Sequence, residues 1–207
     1  MNETKTRILD TAERLFGEYG YSGTSLRHII SEAGVNLAAV HYHFGSKQEL
    51  LDEVILRKAG PLNERRLQLL DQFEAESAPE SAPIDKILEA IIAPAILIDK
   101  SPEFLKLMGR AHAEGLMPAI AQRHFQPLIS RFLSALCRAL PRMPRKELLW
   151  KAHFAIGAMA HTLTARPAMF PETVEETPLL VSRMLVAFLS SGFRAPAIAD
   201  KEIEVNQ

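Results

Sequence analysis

The chain carries one cysteine, Cys137, in 207 residues. That excludes an internal disulfide and a four-thiolate zinc site, and it suits a reducing compartment. Neither charge sign is in excess: 24 Lys and Arg stand against 25 Asp and Glu, a net charge of −1. Such a balance argues against a protein that coats nucleic acid without specificity, but it leaves room for a small, well-placed DNA-binding surface. No apolar run approaches the ~18 residues of a membrane span, and the opening MNETKTRILDTAERLF is too polar for a signal peptide. No membrane partner is expected, and the expected location is cytoplasmic. Glycine-rich phosphate loops, nucleophile elbows and triad-like groupings are missing. The chain is therefore read as no enzyme, with no catalytic residues, cofactor or metal site. Hairpin signals, alternating strands and internal repeats are also missing.

What is present is helical periodicity, in a chain whose 47% hydrophobic residues suffice for a real core. Ile8, Ala12, Leu15, Phe16 and Tyr19 share a helix face that Gly20 and Gly23 bring to an end. Thr24 or Ser25 is placed to cap a second helix, which Gly34 stops. LAAVHYHF forms a third. Ser46, with Glu49 three residues on, opens a fourth in capping-box fashion. Gly60-Pro61 predicts a break or kink in that helix. EAESAPESAPID reads as a loop. Further helices follow over 84–100, loosened at Pro94, then over 102–115 with Pro102 in the first turn. Others cover 118–140 (irregular at Pro127), 143–165 and 178–193, and a frayed tail ends the chain. The class is all-α: a three-helix head at 1–46 and a helical domain at 47–207, joined by the helix that begins near 46.

Two short helices joined by a tight glycine-containing turn, at residues 24–44, have the form of a helix-turn-helix. Ala33 and Gly34 are small where the helices nearly touch, and Val35 and Val40 anchor the inner face. The string from Lys5-Thr6-Arg7-Ile8-Leu9 to Leu51 resembles the DNA-binding signature of the TetR family of transcriptional regulators. The matching pieces are Arg7 to Phe16, Gly20 to Ser25, Ala33 to Val35, and His41-Tyr42-His43-Phe44-Gly45-Ser46-Lys47-Gln48-Glu49-Leu50. There are departures: His41 stands where Tyr is usual, and Leu37-Ala38-Ala39 replaces a polar-Gly-Thr start. Residues 34–47 and 147–158 look similar, more narrowly, to the PsrA-like, fatty-acid-responsive branch.

The resemblance implies that Thr24 or Ser25, Tyr42 and Lys47 contact phosphates, and that Arg27, Asn36, Ala38, Ala39 and His41 read bases. Residues 1–58 hold seven basic and eight acidic side chains, so affinity must come from local placement and dimer avidity. The two-residue spacing of His41 and His43 turns them apart on a helix and makes a poor metal pair.

For the second domain the resemblance implies ligand binding and dimerisation. Leu97, Met108, His112, Phe125, Leu128, Phe132, Trp150, Phe154 and His161 are the candidate lining of one apolar cavity, with ordinary core as the competing reading for each. Phe154, Gly157, Ala160, Met184, Leu185 and Phe188 are the candidate dimer interface. The expected partners are double-stranded operator DNA, a second copy of the chain and an apolar effector, a fatty acid or acyl thioester by the branch resemblance. The expected function is a repressor released from a pseudo-palindromic operator by that effector, through a pendulum-like shift of the fourth helix. A ligand-independent DNA-binding dimer and a drug-efflux regulator of the same fold remain open from the sequence.

Overall fold

The computed structural model describes residues 3–97, 101–164 and 176–196, and within its third helix the backbone alone at 37–39 and 41. Those residues form ten α-helices and one π-helical turn, and no strand is found among them. They divide into two compact units: residues 1–64 with 99–127, and residues 65–98 with 128–207. The division differs from the one the sequence suggests, because residues 101–127 fold with the head.

In the first unit, α1 (Glu3–Gly23) buries Ile8, Leu9, Ala12, Leu15 and Phe16 at helical spacing, each at most 2% exposed. It packs on α2 (Leu26–Ala33), on α3 (Leu37–Phe44) and above all on α6 (Pro102–Ala113). Gly17 permits that last approach: a Cβ there would lie 3.0 Å from the Glu103 carbonyl oxygen. Ser101 caps α6, accepting from the Phe104 amide, with Pro102 in the first turn. Below it lie α7 (Met117–Ile120) and the π-turn Ala121–Phe125. The predicted irregularity at Pro127 thus falls one turn earlier. Pro127 has no N–H for the carbonyl four residues back, and the turn before it opens to a wider repeat.

The fourth helix, α4 (Lys47–Ser77), continues through Pro61, so the predicted break does not occur there. An interior proline costs about 3 kcal/mol. Burial of Leu50, Leu51, Val54, Ile55 and Ala59 before it, and of Leu70 and Phe73 after it, outweighs that cost.

The second unit is built from the later part of α4, α5 (Ile84–Leu97), α8 (Gln126–Ala139), α9 (Arg145–Thr164) and α10 (Pro178–Arg194). Its core holds Ile87, Leu88 and Ile92 of α5, Leu128 and Phe132 of α8, and Leu189 and Phe193 of α10. Pro94 sits inside α5 without ending it. Arg66 of α4 is buried in this unit, donating from Nε to the Ile91 carbonyl at 2.8 Å and from a terminal nitrogen to the Met159 sulfur at 3.7 Å. Burial lowers its pKa to about 10. Glu74 accepts from Arg131 at 2.5 Å and also pairs with Arg138. No helix among the described residues is long and apolar enough to cross a membrane. Most of the stretch between the last two predicted helices, and most of the tail, lie outside the described residues.

Candidate nucleic-acid interface

The turn between α2 and α3 forms as its sequence dictates. Ser25 is extended, and its Oγ accepts from the His28 amide at 3.1 Å, capping α2. Gly34 takes the left-handed conformation at φ 60° that ends the helix. Arg7, reaching across from α1, donates to the Gly34 carbonyl at 3.1 Å. Ile29, Ala33, Val40 and Phe44 fill the inner face. Ser46 caps α4 by accepting from the Glu49 amide at 3.2 Å, one half of the expected capping box.

Thr24 is 1% exposed. Its hydroxyl is turned onto the carbonyls of Gly20 (2.7 Å) and Leu15 (3.1 Å). It therefore ties the corner back to α1, and the phosphate contact expected of its side chain is corrected: only Ser25, exposed beside it, is available. Lys47, the other expected phosphate contact near this corner, is engaged internally. Its ammonium donates to the carbonyls of Tyr21 (2.7 Å) and Thr24 (2.8 Å) and sits 4.1 Å from the Tyr21 ring centroid. A lysine so anchored braces the corner. Its buried partners are backbone carbonyls, which sequence spacing does not reveal.

Most basic residues of the head are engaged internally. Lys5 pairs with Glu53, Arg14 with Glu18 and Glu32, and Lys58 with Glu13. Arg57 spans Asp10 and Glu13, each at 2.6 Å. Arg27 is different: it is exposed on the first turn of α2 and makes no hydrogen bond or ion pair among the described residues. Asn36 is exposed just ahead of α3, and Tyr42 is 85% exposed at its far end, edge-on to His43. Ala38, Ala39 and His41 lie in α3, and their side chains fall outside the described residues. Ser25, Arg27, Asn36 and Tyr42 thus present polar groups outward from two short helices, with Phe44 held inside.

The flank beyond Tyr42 has the opposite character. A cleft of about 380 Å³ there is lined by His43, Glu49, Asp52, Glu53 and His124. His124 lies 2.7 Å from Asp52, and Arg123 donates to the same oxygen at 3.0 Å. Three carboxylates make that flank a poor seat for phosphate.

A feature that sequence reasoning missed is the support for the α1–α2 corner. Glu114, at the end of α6, accepts from the Ser22 amide at 2.9 Å and the Ser22 hydroxyl at 2.8 Å. Burial pushes its carboxyl upward. The Ser22 and Tyr21 donors and the Lys47 charge outweigh that and hold it below the usual carboxylate range. The only sequence signal was Gly20, which closes an apolar pattern without naming a partner 94 positions away.

The candidate ligand residues fall in both compact units. Met108 and Phe125 pack against the core of the first unit, and His112 of the same unit is exposed. Leu128 and Phe132 are buried in the second unit, while Leu97 is 44% exposed at the end of α5. Trp150 (54%), Phe154 (61%) and His161 lie exposed on α9. The apolar side chains of α9 belong to an outward face that α10 shares through Met184 (59%) and Phe188 (72%). Gly157 and Ala160 are exposed on α9, and Leu185 is partly buried on α10.

AcrR of Shigella flexneri, an HTH-type transcriptional regulator, is 36% identical over 74 residues, covering 36% of this chain and 34% of AcrR. The negative transcriptional regulator IcaR of Staphylococcus aureus is 37% identical over 51 residues, 25% of this chain and 27% of IcaR. These matches span about a third or less of the relatives' length. The solved structure of Salmonella enterica GusR superposes with a TM-score of 0.60 at 17% identity, covering 94% of this chain and 98% of GusR; this is a likeness of fold. The family model for bacterial regulatory proteins of the tetR family matches residues 8–54. That for the tetracyclin repressor-like C-terminal domain matches residues 89–192. Since the head that caps, turns and buries itself as a helix-turn-helix is followed by a C-terminal domain matched over half of the chain, the protein belongs to the TetR family of DNA-binding transcriptional regulators.

Proposed function

We propose that the protein is a homodimeric repressor that binds a pseudo-palindromic operator and is released by an apolar small molecule. The observation that carries the dimer is the exposed apolar face of α9 and α10: Trp150, Phe154, Ile156, Leu180, Met184 and Phe188 are 43–72% exposed. A contiguous surface of that character marks an interface. Two-fold pairing through it would give two copies of α3 for successive major grooves, so the operator would mirror the protein's symmetry. Repression is the reading favoured by relatives such as IcaR, named a negative regulator.

The effector reading rests on the likeness of residues 147–158 to fatty-acid-responsive regulators, which makes a fatty acid or acyl thioester the first candidate. Such a molecule lowers operator affinity only by binding the non-DNA-binding conformation better. A 10- to 100-fold loss needs about 1.4–2.8 kcal/mol of coupling. Residues of α4 belong to both compact units, which makes this helix the covalent route for that coupling. The tight burial of Leu128 and Phe132, each 4% exposed, favours the second reading, a dimer that answers to no ligand.

Equilibrium sedimentation tests the dimer. The wild type should sediment as a dimer and Phe188→Asp as a monomer, with a red shift of the single tryptophan, Trp150. A monomeric wild type overturns the proposal. Mass spectrometry of small molecules extracted from the purified protein, followed by thermal shift, tests the effector. A bound fatty acid or acyl thioester that raises the melting temperature supports it. An empty extract with no shift from added lipids favours the ligand-independent dimer.

A further inference from the structure

The last turn of α1 is broken from the rest at Gly20, which has φ 77° and ψ 172°. In an unbroken helix the Ser22 amide would donate to the Glu18 carbonyl. The break separates that pair and leaves a donor and an acceptor to be satisfied elsewhere. One helix answers both. Glu114 accepts from the Ser22 amide at 2.9 Å, and Arg110, four residues earlier, donates to the Glu18 carbonyl at 3.2 Å. The fit is close: a Cβ on Gly20 would come within 1.9 Å of a Glu114 carboxylate oxygen. On the other side of the corner Lys47 holds the Tyr21 and Thr24 carbonyls. The next residue is Ser25, the cap of α2, and two positions later stands Arg27.

We propose that Arg110 and Glu114 are positioning residues for operator binding: they splice the broken backbone of α1 and so fix the direction in which α2 presents Ser25 and Arg27. They touch no DNA in this scheme and act through the corner. The inference rests on the head being the DNA-binding surface. It makes residues 101–114 a determinant of operator affinity, although they lie outside the helix-turn-helix.

The chemistry of the splice supplies its own test. Removing the Glu114 carboxylate leaves an anion-sized space facing backbone N–H groups, into which formate fits. A duplex selected from a random pool by the wild-type protein serves as probe, with total ionic strength held constant by chloride because affinity falls with salt. Glu114→Ala should bind it about tenfold more weakly, equivalent to about 1.4 kcal/mol, and formate should restore most of the loss. Hydrogen exchange at the Ser22 amide should quicken in the variant and slow again with formate, a readout that needs no DNA. Wild-type affinity in Glu114→Ala, or a loss that formate does not touch, overturns the proposal. If Glu114→Ala does not fold, Glu114→Gln keeps the shape with a neutral acceptor. Faster Ser22 exchange and weaker binding then support the splice, and wild-type values for both overturn it. A wild-type protein that selects no duplex would refute the DNA-binding surface instead, while the exchange measurement still decides whether the splice exists.

Discussion

Removing Arg57 tests how the head is joined to α4. Arg57 holds Asp10 and Glu13 of α1 at 2.6 Å each, and its side chain is 19% exposed. The two arms are unequal. Asp10 is 64% exposed, so its pairing contributes well under about 1 kcal/mol. Glu13 is 6% exposed, and a buried charge deprived of its partner costs about 3–5 kcal/mol. Some of that is retained, because Ser101 donates to Glu13 at 2.8 Å and Lys58 lies 3.7 Å away. Arg57→Ala should therefore destabilise the first unit by about 2–3 kcal/mol. Adding Glu13→Gln should recover about 1 kcal/mol, since the abandoned charge is then gone. All three tyrosines, Tyr19, Tyr21 and Tyr42, lie in the first unit and the single tryptophan in the second. Urea titrations followed by tyrosine and by tryptophan emission report on the units separately. A double variant no more stable than Arg57→Ala would refute the reasoning, because the loss would then not come from a stranded carboxylate.

Arg27→Ala should cost about 1–3 kcal/mol at the selected duplex and relax preference at one base pair per half-site, as read by competition among single-base variants; unchanged preference would exclude base reading. Lys47→Ala should destabilise the first unit, as read by tyrosine emission in urea, by about 1 kcal/mol for its lost carbonyl contacts, yet leave the salt slope of operator binding as in the wild type. A slope reduced by about one would instead place its ammonium on a phosphate. Glu74 is held below the usual carboxylate range, first by its hydrogen bond from Arg131 and further by Arg138, against an opposing push from burial. Its folded pKa lies below its unfolded one. Its contribution is therefore complete above an unfolded pKa of about 4.3 and is lost as pH falls through the folded value. Acid titration of tryptophan emission should show less acid sensitivity below about pH 4.3 in Glu74→Gln than in the wild type.

The sequence by itself determined the local structure and the family. Helix ends are decided within a few residues: Ser25 and Ser46 cap, Gly34 turns, and Pro102 starts a helix, each through local backbone chemistry. The spacing of Ile8, Ala12, Leu15 and Phe16 likewise fixes a buried face before any partner is known. Only the tertiary structure decided what charged and apolar side chains do at long range. Lys47 looks like a phosphate ligand until the carbonyls of Tyr21 and Thr24 are seen around it. Thr24 looks like a cap until its hydroxyl is seen on Gly20 and Leu15. Trp150 and Phe154 fit a pocket as well as an interface in sequence, since an apolar side chain records only that it leaves water, not which surface covers it. Pro61 marks a break in sequence, yet the helix continues past it, with buried side chains on both sides. The pairing of Arg110 and Glu114 with the two ends of one broken hydrogen bond depends on α6 crossing α1 at Gly17, and no periodicity along the chain encodes where two helices cross.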